Sequence, residues 1–409
     1  MPSRFTELHF IGRTLRAGFF AALAAHAFAE DAKPREFFAD QPKGLGEHFT
    51  AWKLNYVGEV FGNLSGGMKQ GAVYEGYVKL GLGLNLEKLA GWKDTFFYAN
   101  FLYPHGASPT LNYVGDLNVV SNIDAYDSAR IFKCWVQKNF AEDRFSLRVG
   151  LMAVDKEFFA SESAGLFLNS GFGTFPVISQ DVAAPVYPVS APGVRLMWKA
   201  SKALSFRVAL FSGDVSTSTL NQHNTQWNLQ AGEGAAVFAE AAYKTHAADG
   251  GLRGTYKLGG FYYSQSFDDL SGGEKHHGNY GVYAIADQQV WHAGAQGLGV
   301  FGRFAFAPED RNLVAFDTEV GVTCTGLLPG RDGDVLGAGV VFAKVSSEAR
   351  DAQGEPFPTH HETALEVSYQ ASVNDWLTVQ PDFQYVFNPG AVRSGRDAVV
   401  AGLRFSLSF

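Results

Sequence analysis

From about residue 51 to the last residue, apolar and polar side chains alternate with a period of two, segment after segment. In Ala72–Leu84, Tyr74, Val78, Leu80, Leu82 and Leu84 share one face while Glu75, Tyr77 and Lys79 share the other. This is the pattern of a strand with one apolar and one polar side. Phe145, Leu147, Val149 and Leu151 alternate with Ser146, Arg148 and Gly150 in the same way. Further segments place Arg195, Arg207, Arg303, Glu366, Gln380, Asp382 and Gln384 on the polar face. No run approaches the roughly 18 to 20 apolar residues that a transmembrane helix needs, so a helical membrane protein is excluded.

The pattern predicts about sixteen strands, over 51–62, 72–84, 94–104, 127–138, 144–152, 191–200, 203–212, 233–244, 252–264, 278–290, 296–307, 313–324, 334–347, 360–371, 375–387 and 397–409. Even-numbered connections are mostly short, as at 139–143, 201–202 and 372–374. Odd-numbered ones are mostly long: 105–126, 153–190, 213–232, 265–277 and 348–359. Short turns at one end and long loops at the other, with an even strand count, predict an all-β fold: a transmembrane antiparallel β-barrel. In hydrocarbon an unpaired backbone N–H or C=O costs several kcal/mol, so the sheet must close and the last strand must pair with the first. The final stretch, Val400–Phe409, reads as that closing strand, with Phe409 ending its lipid face. Nine glycines inside predicted strands, among them Gly81, Gly259, Gly321, Gly337 and Gly339, fit a sheet that bends or is closely approached.

The first 29 residues have the form of a signal peptide. Arg4, Arg13 and Arg16 precede an apolar stretch from Ala17 to Ala25, and Ala27-Phe28-Ala29 is a small-x-small cleavage site. A mature chain starting at Glu30 has a periplasmic segment over 30–50 and the barrel over 51–409. Of 33 basic and 41 acidic residues, three arginines and Glu7 lie in the leader, which leaves a net charge of −10. That balance argues against nucleic acid as a partner. Cys134 and Cys324 read as two unpaired thiols rather than a disulfide framework. No cofactor motif is present: neither GxxxxGK[ST] nor GxSxG occurs, and His360-His361-Glu362 lacks the second histidine of HExxH. His276-His277 reads as loop, and Pro308–Asn312 as a polar turn.

Several stretches together resemble one family. LNYVGEVFGNLSGG, LEKLAGWKDTFF, VGDLNVVSNIDA, LRVGLMAVDKEFFASESAGLFLNSGFG, APVYPVSAPGVRL, GNYGVYAIADQQVW, PEDRN, GLLPGRDGDVLG and PDFQYVFNPG occur in the order that the carbohydrate-selective outer-membrane porins of the OprB family would place them. They span about residues 50 to 409. The resemblance implies a passive channel for small sugars in an outer membrane, with no catalytic centre. It also implies a monomer, and a terminal aromatic, Phe409, read by barrel-assembly machinery. The D-W-G-G-x-R-like segment that such porins carry before the first strand is absent, and QPKGLGEHFTAWKLNY stands there instead.

In a channel, selectivity belongs to the constriction. Residues 153–190 form the longest connection, and a loop of that length is usually functional. It is expected to fold into the lumen. Asp155, Glu157 and Glu162 are candidate acceptors for sugar hydroxyls, and Phe158, Phe159, Phe167, Phe172 and Phe175 candidate platforms for pyranose rings. Lys79, Arg130, Arg148, Arg195 and Arg207 are candidate wall cations facing those carboxylates; parity supports all but Arg130, whose strand alternates less cleanly. A second reading stands beside this one: the wall charges are solvated, the loop carboxylates pair with wall arginines to pin the loop, and the phenylalanines form a small core. Rival functions are a general porin, a surface adhesin or structural barrel with a blocked lumen, and a soluble β-rich binding protein.

Overall fold

The structure, a computed structural model, describes residues 50–409 apart from 214, 216–220, 228–233, 246–250, 353–359 and 393–395. The leader and nearly all of the segment expected over 30–50 therefore lie outside the described residues.

The strands are β1 (Thr50–Ser65), β2 (Gly71–Asn85), β3 (Thr95–Gly106), β4 (Arg130–Phe140), β5 (Phe145–Met152), β6 (Ala191–Lys199), β7 (Leu204–Ser212) and β8 (Ala235–Thr245). They continue as β9 (Gly254–Phe267), β10 (His276–Ala293), β11 (Gln296–Phe306), β12 (Val314–Thr325), β13 (Val335–Val345), β14 (His361–Ser372), β15 (Leu377–Phe387) and β16 (Ala398–Ser408). Each strand pairs with its chain neighbours, and β1 pairs antiparallel with β16, so the sheet is a closed barrel. All sixteen expected strands are present, and most boundaries fall within two or three residues of those expected.

Alternation puts the two faces where hydrocarbon and water demand them. Tyr74, Leu80, Phe101, Val149, Leu258, Val282, Phe304 and Leu403 are exposed on the outside. Asn55, Glu59, Asn100, Arg303, Glu319 and Gln384 are buried inside. The thiols of Cys134 and Cys324 are unpaired.

Two departures from the expected pattern have local causes. His276 and His277 begin β10 rather than belonging to a loop, because they pair with Phe267 and Ser266 across a register shift before Asn279. In β4 the ladder shifts between Asn100 and Phe101, so that Arg130 and Phe132 face inward and so do Lys133 and Trp135. The extra residue of a β-bulge inverts the parity beyond it.

The seam is built by sequence-distant residues. Glu59 lies opposite Arg404, and Phe61 lies opposite Gly402, where a Cβ would stand 2.2 Å from the Phe61 ring. Phe409 exchanges both backbone hydrogen bonds with Leu54, at 2.8 and 3.0 Å, and stacks on Trp376 with ring centroids 6.1 Å apart. Deleting Phe409 removes both bonds and the stack. It should reduce the heat-modifiable, folded band on SDS gels of outer-membrane fractions; an undiminished band would contradict the role given to this residue at the seam.

Candidate functional site

The loop over 153–190 lies inside the barrel, and its backbone is held by the wall. Glu240 of β8 accepts from Phe159 N at 2.8 Å, and Glu366 of β14 accepts from Leu168 N and Asn169 N at 2.6 and 2.9 Å. Asp317 of β12 accepts from Val177 N at 2.6 Å. Wall donors satisfy the carbonyls: Lys257 bonds Ala160 O at 2.7 Å, Gln380 bonds Leu166 O at 2.7 Å, and Arg303 bonds Gly171 O at 3.0 Å and also Phe172 O. An irregular segment this deep carries backbone groups that neither helix nor sheet satisfies, and buried ones must find partners. Hydrogen bonds to charged groups contribute about 1.5–3 kcal/mol each, so these contacts fix the path of the loop along β7 to β15.

A second loop, over 107–129, enters the lumen as well and was not expected to do so. Glu362 accepts from Leu117 N at 2.7 Å, Asn118 N at 2.8 Å and Gly390 N at 2.6 Å. Glu59 accepts from Ser121 Oγ and from Arg404 Nε, the latter at 2.5 Å. The two loops then bond each other: Asn122 N donates to Leu168 O at 2.6 Å, and Ser170 N to Val119 O at 2.9 Å. The plug that narrows the barrel is thus one two-loop body.

The loop phenylalanines are the core of that body. Phe158 and Phe159 are fully buried, Phe158 against Phe238 and Phe159 against Phe175 and Tyr283. Phe167 and Phe172 stack on each other at 4.3 Å and pack on Phe301. A Cβ at Gly337 would stand 2.4 Å from Leu166, and one at Gly339 2.8 Å from Phe172. These two glycines leave room for the loop side chains, a close-approach role more specific than sheet curvature. Phe158 and Phe159 therefore present no ring face to a passing solute, because the wall covers both.

The charged candidates separate into three groups. Arg148, Arg195 and Arg207 stand side by side on β5, β6 and β7, with Arg148 opposite Arg195 in the ladder. They converge on Glu157 of the loop: Arg148 Nη1 pairs with Oε1, Arg195 Nε stands 2.9 Å from Oε2 without being aligned as a hydrogen bond, and Arg207 Nη1 donates to the backbone oxygen at 2.7 Å. Gln137 Oε1 accepts from both Arg148 and Arg195, at 3.0 and 2.9 Å, and the Arg148 guanidinium lies 3.8 Å from the Trp135 ring centre. Asp155 is buried, stands 3.6 Å from Lys156 Nζ through Oδ2, and has an Oδ1 that lacks a hydrogen-bond partner.

Lys79 is half-buried on the neighbouring wall, 5.8 Å from the Tyr77 ring, and Glu162 is exposed in a separate cavity with Asp287 and Arg253. Arg130 is not part of the group. As the first residue of β4 it lies at the long-loop end, where it is buried and donates to Pro188 O at 2.8 Å, to Gln222 O and to Tyr126. Lys133, which the alternation did not single out, occupies the inward position that the bulge creates. Among the described residues no group of three or more His, Cys, Asp or Glu is arranged to hold a metal ion.

A profile described as "Carbohydrate-selective porin, OprB family" matches residues 69–409. The chain belongs to the OprB family of carbohydrate-selective porins. Porin B of Pseudomonas aeruginosa is 26% identical to it over 442 residues, which cover 95% of this chain and 94% of that one. The high-pH structure of Pseudomonas putida OprB superposes with a TM-score of 0.81 at 24% identity, covering 91% of this chain and 100% of that one. The outer-membrane channel DcaP of Acinetobacter baumannii shares the fold at 12% identity, with a TM-score of 0.55 over 88% of this chain and 97% of that one. Family membership makes the chain a porin for passive sugar diffusion and places it in an outer membrane.

The wall anchors give a direct test of the plug. Glu366→Ala leaves Leu168 N and Asn169 N unsatisfied, at about 1–3 kcal/mol each. It should lower the melting temperature of the refolded barrel and raise open-channel current noise; a variant as stable and as quiet as the parent would show that these bonds do not hold the loop.

Proposed function

We propose that sugar selectivity in this porin is set where Arg148, Arg195 and Arg207 meet Glu157 of the anchored loop. The observation that carries this reading is the convergence of three wall arginines on one loop glutamate. The paired arginines and Glu157 together line one side of the opening, and their remaining N–H and oxygen sites suit a solute that bears many hydroxyls, each able to donate and accept. Gln137 and Trp135 hold the Arg148 guanidinium in one orientation, so its hydrogen-bonding geometry is fixed before the sugar arrives. The loop phenylalanines stay behind the loop as packing. Lys79 and Lys133 contribute positive charge on the same wall, and Glu162 serves the neighbouring cavity.

The same reading covers assembly. Residues 1–29 direct export, Phe409 is read by the barrel-assembly machinery, and the protein works as a monomer, as the family resemblance implies. The segment over 30–50 lies on the periplasmic side.

Planar-bilayer recordings test the assignment. Glucose added to the bath should reduce wild-type current in a saturable way, and Arg148→Ala should raise the half-blocking glucose concentration about tenfold, the loss of one charge-assisted hydrogen bond. Unchanged block would return Arg148 to the solvated wall.

A further inference from the structure

On the short-turn side of the anchored loop, a cavity of about 410 Å³ is bounded by β4 to β7. Arg148, Arg195, Arg207, Lys156 and Lys199 line it, against only Glu157 and Asp143. Behind Arg207, Glu240 pairs with both Arg207 at 3.2 Å and Lys257 at 3.6 Å, so that one carboxylate is shared by two cations and offsets only part of the charge of Arg207. The positive excess is pronounced because the chain as a whole is acidic, with 41 acidic against 33 basic residues. Many of the inward carboxylates are occupied as loop anchors, whereas five cationic side chains line this one cavity.

We propose that this cavity admits polyhydroxylated carboxylates, the sugar acids, as a second solute class beside neutral sugars. The proposal rests on the reading that the chain is a passive sugar channel, and extends it to the anionic relatives of those solutes. A sugar acid carries the hydroxyls of a sugar and a carboxylate at one end. Arg207 keeps 23% of its side chain exposed at the cavity, and a guanidinium matches a carboxylate with two parallel N–H···O bonds. Lys199 is exposed at the end of β6, on the inward parity shared by Gly193, Arg195 and Met197, and adds charge nearer the short-turn rim. Positive side chains in a low-dielectric wall focus the field along a passage and raise the local concentration of anions.

The test uses the full-length refolded protein in planar bilayers with a gradient of potassium gluconate, and glucose-driven swelling of liposomes made from the same preparation. Wild type should show a gluconate permeability at least equal to that of potassium. Lys199→Gln should lower that ratio about two- to threefold, the effect of removing one charge at about 8 Å in water, and Lys199→Glu about twice as far on a logarithmic scale. Arg207→Gln should do the same; because Arg207 also holds the loop backbone, the exposed Lys199 variants decide the outcome if the Arg207 variant fails to fold. Glucose swelling should stay within twofold of wild type for the Lys199 variants. A wild-type channel that excludes gluconate, or Lys199 variants with an unaltered ratio, would overturn the sugar-acid proposal while glucose influx leaves the sugar channel standing. Failure of both solutes to cross would overturn the two together.

Discussion

A sheet immersed in hydrocarbon has no solvent to satisfy its edges, and every other property of this protein depends on how that requirement is met. The answer is the pairing of β1 with β16, from Asn55 opposite Ser408 to Ser65 opposite Val399. Closure fixes parity for the whole ring: once Glu59 faces Arg404 across the seam, the inward residues of every following strand are determined by the ladders between them. The lumen then collects Glu240, Asp317, Glu362 and Glu366 on one arc and Arg148, Arg195 and Arg207 on another. Strand register thus sets which charges share an arc: the first holds the loops through carboxylates together with Lys257 and Arg303, and the second is rich in arginine and pairs with Glu157 of the loop.

The holding arc explains how an irregular plug survives in a water-filled tube. Backbone N–H groups of Phe159, Leu168, Asn169, Val177, Leu117 and Asn118 meet carboxylates, and phenylalanines fill the space over Gly337 and Gly339. Carboxylates suit this task because one group accepts several N–H bonds at once. On the arginine-rich arc the side chains are kept in place by Glu157, Glu240, Gln137, Ser146 and the Trp135 ring.

The barrel was legible in the sequence because alternation, turn lengths and strand count all derive from local pattern. Arg148, Arg195 and Arg207 were legible for the same reason, being on clean strands whose parity could be counted. Arg130 faces inward as expected but at the long-loop end, apart from the other arginines; the less clean alternation of its strand reflects the bulge beside Phe101, which also turns Lys133 inward, and that position was missed. That Phe158 and Phe159 pack as a core was one of the two readings open in the sequence, but their partners Phe238 and Tyr283 were not legible, since they lie on strands far along the chain. Glu366 and Gln384 were placed on the polar face, yet their roles were hidden: the amide that Glu366 accepts is 198 residues away. The infolding of the 107–129 loop was hidden likewise, because its anchor Glu362 sits in a stretch that reads only as the mouth of a strand.

On the proposed function, passage is decided by chemistry at the loop-narrowed opening rather than by size. Liposome swelling with the refolded protein measures this directly, comparing glucose, other monosaccharides, a disaccharide and a neutral amino acid matched to glucose in size. Glucose should enter faster than the matched amino acid. Rates ordered by size alone would contradict it and reduce the anchored loop to a plain sieve.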